Sequence, residues 1–99
     1  METGVEFVPG VRIPTTPVPL GVLYDHRLTF GARLLYGLLY RYALERPLKM
    51  PSQPTLASEL GITPRSLRNY LTELKGIGLL AIDPSHGNQP LRYHLKFNA

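Results

Sequence analysis

The sequence predicts a mainly α-helical domain with a three-helix core, closed by a small β-hairpin. Three observations carry this. Apolar residues recur at three- and four-residue intervals in three stretches, 30–44, 53–60 and 64–75, which is the period of one helix face. Only three residues, beginning with Gly61, separate the second stretch from the third, so a tight turn joins them. Beyond Gly78 the period falls to two, in two short segments around a tip dense in turn formers.

Residues 1–22 hold four of the ten prolines, Pro9, Pro14, Pro17 and Pro19. A fixed φ and a missing N–H disfavour both helix and central strand. The stretch reads as an extended arm, 1–22, ahead of a folded domain, 23–99. Val11, Ile13, Val18, Leu20 and Leu23 are the candidates for contact between the two, and 20–24 reads as a short turn. Thr29 then stands where a hydroxyl can cap the helix 30–44. Its expected buried face is Leu34, Leu35, Leu38, Leu39 and Tyr42. Arg33, Tyr36 and Tyr40 fall on the flanks, and Gly37 weakens the middle. Pro47 stops the helix. Helical spacing makes its tyrosines core or interface residues rather than a platform for stacked bases.

The segment 48–50 reads as a short edge strand. Ser52 caps the helix 53–60, with Pro54 in the first turn, where a missing N–H costs nothing. Leu56, Ala57 and Leu60 face inward. Gly61 tolerates the left-handed conformation that ends a helix. Thr63 and Pro64 start the next one, 64–75, which buries Leu67, Leu71 and Leu74 and sets Tyr70 at the border. Gly76 and Gly78 end it. Leu79, Leu80 and Ile82 form a strand, and 84–90 (PSHGNQP) forms a tip. Along 91–97, Leu91, Tyr93, Leu95 and Phe97 alternate with Arg92, His94 and Lys96, a strand with one wet face.

Composition narrows the chemistry. Ninety-nine residues make one domain with a modest core. There is no cysteine, so disulfides are excluded, and His26, His86 and His94 lack ligand spacing, so no metal or other cofactor is expected. No Gly-rich phosphate loop is present, and the Asp25–His26 neighbours have no serine or carboxylate placed beside them by any motif; an enzyme is not expected. No apolar run approaches the ~20 residues that span a bilayer, and no signal peptide opens the chain. A cytoplasmic protein without a membrane partner is expected. The net charge is +4, and its distribution is uneven: residues 64–99 hold five bases against two acids, residues 1–63 six against five. Basic segments attract polyanions, of which nucleic acid is the commonest.

The helix 64–75 turns Arg65, Ser66, Arg68, Asn69 and Thr72 away from its leucines and carries no acid before Glu73. A helix of this length spans ~18 Å, enough for about one turn of contact in a major groove. Arg65 and Arg68 are one turn apart and face the same way. Arginine can bond bidentately to guanine and Asn69 to adenine, while Ser66 can reach a base edge or a phosphate. Thr63 and Lys75 complete this candidate DNA-binding set at the two ends. The helix N-termini at Ser52 and Pro64 offer free N–H groups and a partial positive charge, and Ser52, Gln53 and Thr55 add donors for phosphate, a role compatible with capping. The hairpin would bring His86, Asn88 or Gln89 to a minor groove or backbone, with Arg92 and Lys96 near phosphates.

Helix, turn, helix and hairpin in this order make a winged helix-turn-helix. The segments 25–29, 51–61, 63–74 and 78–80 go further. YDHRLTFGARLLYGLLYRYA followed by MPSQPTLASELGITPRSLRNYLTELKGIGLL resembles the N-terminal DNA-binding domains of plasmid and phage replication initiators and replisome organisers. The resemblance covers about 11–95. One departure is Gly76 in KGIGLL, where the pattern usually carries a charged residue. The resemblance implies sequence-specific binding of double-stranded DNA at a replication origin, with repeated sites (iterons). The first helix and the arm are candidate surfaces for a homodimer and for other replication proteins. Two alternatives share the pattern: a transcriptional regulator with the same DNA-binding mode, and a winged helix used for protein–protein contact or dimerisation.

Overall fold

Caps and stops written into the chain divide the described residues into four helices and two strands. The computed structural model describes residues 16–45, 50–83 and 92–96. Within them run α1 (Leu20–Leu23), α2 (Phe30–Glu45), α3 (Gln53–Leu60), α4 (Pro64–Gly76), β1 (Leu80–Asp83) and β2 (Arg92–Leu95). The architecture is mainly helical with a two-stranded antiparallel sheet, in register from Leu80↔Leu95 to Asp83↔Arg92.

The ends of α3 and α4 follow one design. Ser52 accepts a hydrogen bond from the Thr55 N–H, and Thr63 accepts one from the Ser66 N–H, each with proline in the first turn. Both helices also close alike. Gly61 (φ 66°) and Gly78 (φ 80°) take the left-handed conformation that only glycine adopts freely. The following N–H then reaches back five residues, Ile62 to the Ala57 carbonyl and Leu79 to the Leu74 carbonyl, 3.0 Å each. Gly76 is the last helical residue of α4, so Gly78 alone makes the stop.

α4 packs against both α2 and α3. Leu67, Leu71 and Leu74 join Leu35, Tyr36 and Leu39 of α2, Leu56 and Ala57 of α3, and Leu79 and Leu80 in one buried cluster. Each fully buried leucine contributes about 1.5–3 kcal/mol relative to exposure.

On α2 the buried face differs from the expected one. Leu34 is 66% exposed, and Tyr36, expected on a flank, is fully buried at the centre. The inward stripe is Ala32, Leu35, Tyr36 and Leu39. Tyr36 is admitted because its hydroxyl donates to the Lys96 carbonyl at 3.2 Å, joining α2 to the residue after β2. Burial, with neighbouring Tyr40, pushes its phenol up to about 12. Gly37 is a notch rather than a weak point. Thr16 donates to the Gly37 carbonyl at 2.7 Å, and a β-carbon on Gly37 would stand 2.8 Å from Val18.

Residues 16–23, from the proline-rich stretch, thus lie against the helices. Val18 is half-buried and Val22 buried, while Leu20 and Leu23 face outward. The turn expected at 20–24 is a single helical turn. Met50 has no regular structure. The rest of the proposed 48–50 edge strand, the tip 84–90, the arm residues 1–15, and Leu91 and Phe97 lie outside the described residues.

Candidate nucleic-acid interface

Of α2, α3 and α4, α4 divides polar from apolar residues most sharply. Its leucines lie on one side. Arg65, Arg68, Asn69, Thr72 and Lys75 are all exposed, and at ~100° per residue they fall within an arc of about 120°. Ser66 falls about 60° outside that arc and is half-buried. The side chains of Arg65, Arg68 and Lys75 have no hydrogen-bond or ion-pair partner among the described residues. The arc contains no acid.

Several hydroxyls of the expected set already have partners. Thr63 Oγ1 accepts from the Ser66 N–H and donates to Ser66 Oγ, 3.1 Å each, so these two residues close the first turn of α4. Thr72 Oγ1 donates to the Arg68 carbonyl at 2.9 Å, leaving its lone pairs as acceptors. At the start of α3, Ser52 Oγ and Thr55 Oγ1 share a hydrogen at 2.9 Å. Gln53 is half-buried and donates through Nε2 to the Tyr93 hydroxyl at 3.4 Å, tying the N-terminus of α3 to β2. Arg92 is exposed at the start of β2, opposite Asp83. His94 meets the Asp83 carboxylate at 2.8 Å. His86, Asn88 and Gln89 lie outside the described residues.

What aims α4 comes from residues that sequence reasoning did not assign. Glu73, the one acid on α4, faces the start of α2. Its carboxylate accepts from the Thr29 N–H at 2.9 Å and from the Thr29 hydroxyl at 2.7 Å, an anion at a positive helix N-terminus. One turn earlier, the Tyr70 ring lies against Gly31: a β-carbon there would collide with the ring's Cζ and hydroxyl. The missing side chain lets α4 approach α2 this closely. A glycine in the first turn of a helix, and a lone acid on an otherwise acid-free one, were the available signals.

The arginines of the first half behave differently. Arg27 pairs with Asp25 at 2.7 Å, and Arg41 with Glu45 at 3.2 Å. The hydrogen bonds from the Arg27 side chain and N–H hold the Asp25 carboxyl down at about 2. Arg33 donates to the Leu23 carbonyl at 3.2 Å and the Leu28 carbonyl at 2.9 Å, and stacks over Phe30 at 5.2 Å. It fastens the α1–α2 connection.

No group of three or more His, Asp or Glu side chains among the described residues could hold a metal. No described helix is long and apolar enough to cross a membrane. No protein-family model matches the chain, and neither a curated protein nor a solved structure matches it.

Proposed function

We propose that this chain is a winged helix-turn-helix module that binds double-stranded DNA, with α4 in the major groove and β1–β2 as the wing. The observation that carries this reading is the α4 arc: three exposed cations without partners among the described residues, interleaved with Asn69 and Thr72, on a helix whose other side is locked into the core. A solvated surface helix usually interleaves both signs of charge; this arc carries one sign and the amide that reads adenine. Arg65 and Arg68 contact guanine edges, Asn69 an adenine, and Lys75 a phosphate at the far end. The N-termini of α3 and α4 and Arg92 lie along the backbone. A role in replication initiation rests on the sequence resemblance, and a transcriptional regulator would present the same arc.

The test is fluorescence anisotropy with duplex DNA, from low to physiological salt. Affinity falls steeply with salt, since each neutralised phosphate contributes about −0.9 to the slope of log K against log salt. Arg65→Ala/Arg68→Ala weakens binding to a selected site by roughly 100-fold, on a scale of about 1–3 kcal/mol per bidentate contact. No binding at low salt, or a double variant that binds like the parent, sinks the reading. Selection from a randomised pool then separates the biological roles: a site that recurs in tandem on plasmid or phage DNA supports replication initiation.

A further inference from the structure

The outward face of α1 and the first two turns of α2 is apolar. Leu20, Leu23 and Tyr24 project from a single helical turn, opposite buried Val22. Phe30 and Leu34 are four residues apart on one side of α2. Phe30 is 78% exposed, Tyr24 67%, Leu20 and Leu34 66% each, and Leu23 43%. Arg33 ties the two groups together, since its guanidinium holds the Leu23 carbonyl and lies over the Phe30 ring. We infer that this face is the interface of a homodimer, a second copy of the chain seated on it about a twofold axis.

Two observations favour a second copy. The first is area. At ~200 Å² for a fully exposed large side chain, the five residues present about 600 Å², near the top of the range for the largest patch on a monomer. One partner of a standard interface buries ~800 Å², so the five supply most of what a stable dimer needs.

The second is charge. The chain carries +4 and repels its own copy through most approaches. Here charge is sparse: Asp25 closes on Arg27, and Arg33, which has no acid partner among the described residues, is half-buried and held by two backbone carbonyls. A patch whose one uncompensated charge is half-buried meets its twofold mate at little like-charge cost. The face shares no residue with the α4 arc.

Sedimentation velocity over a concentration series, without DNA, tests the inference independently of the DNA-binding reading. The parent chain sediments at twice 11.1 kDa and dissociates on dilution. Phe30→Gln/Leu34→Gln on α2, and separately Leu23→Lys on α1, raise the dissociation constant at least tenfold while keeping the parent's circular dichroism. Hydroxyl-radical footprinting of the unmodified chain asks the same without a substitution: Tyr24, Phe30 and Leu34 lose reactivity as concentration rises, and Leu44, exposed at the far end of α2, does not. A monomer at every concentration overturns the inference and leaves the face to a different partner. A dimer that survives the folded variants, or protects other residues, overturns it as well.

Discussion

α2 and α4 lie against each other, each buries a leucine-bearing stripe in the same core, and each carries arginines. They deploy those arginines in opposite ways. On α2 and its approach, Arg27, Arg33 and Arg41 are all engaged, by Asp25, by two carbonyls and by Glu45. On α4, Arg65 and Arg68 reach past the fold and meet no partner among the described residues. The lesson is that a count of cations does not locate a polyanion surface. A guanidinium held by carbonyls is part of the scaffold; one left in water at a convex helix face is available to a ligand.

The comparison can be broken first at the contact that joins the two helices. In an open helix Gly→Ala stabilises, but a β-carbon on Gly31 meets the Tyr70 ring. Gly31→Ala is therefore expected to cost about 1–3 kcal/mol and to lower Tm by several degrees. A thermal melt that rises instead would show that the helices do not touch here. Next, Arg33→Ala leaves the Leu23 and Leu28 carbonyls unpaired, a loss of about 1–3 kcal/mol. On the proposed reading, the folded variant is expected to match the parent in DNA affinity. Equal losses of affinity from Arg33→Ala and Arg68→Ala would erase the distinction between scaffold and contact arginines.

Smaller effects sharpen the contrast. Lys75→Ala is expected to change stability by less than ~0.5 kcal/mol and to flatten the salt slope by about 0.9. An unaltered slope would remove Lys75 from the interface. The last prediction concerns pH. Asp25 is held at about 2 in the folded chain, below its ordinary 3.8. Because the folded value is depressed, its contribution is present above the ordinary value and is lost as pH falls from about 4 to about 2. Asp25→Asn should blunt that part of the acid loss, seen as a smaller drop in Tm between neutral pH and pH 2. The same acid sensitivity in parent and variant would show that the ion pair does not bear on folding.

How much of this was legible depended on contrast within each helix. α3, the turn and α4 could be read almost residue by residue. Ser52 and Thr63 are strong caps, Gly61 has one conformational use, and on α4 the leucines stand against charged and amide neighbours. α2 offered no such contrast. Leucine or tyrosine occupies 34, 35, 36, 38, 39, 40, 42 and 44, so apolar groups point in every direction and the phase of the buried stripe was read one step off, toward Leu34 and away from Tyr36. Tertiary facts settle the phase: Lys96 offers Tyr36 an acceptor, and Thr16 and Val18 cover the stripe beside Gly37. Arg33 was illegible for a related reason, because its partners are main-chain carbonyls and leave no trace in side-chain pattern. In the proline-rich stretch Val18 packs as expected, but Leu20 and Leu23 face outward and Val22 is buried in their place, because the single turn of α1 sets the phase there. The polar arc of α4 was legible except for Ser66, which is half-buried and closes the first turn with Thr63; the groups that aim it, Gly31, Tyr70 and Glu73, show only in three dimensions.

The Glu73–Thr29 clamp has a thermodynamic consequence. With Tyr70 seated on Gly31 one turn away, α4 is fixed to α2 at two points before any ligand arrives. Little conformational freedom remains to be lost there on association. The heat capacity change of complex formation should then be small and track only the surface dehydrated, with none of the large negative term that accompanies coupled folding. Loosening the clamp with Glu73→Gln would shift that balance, so that the helix finishes ordering on its target and the calorimeter registers it as a steeper dependence of enthalpy on temperature.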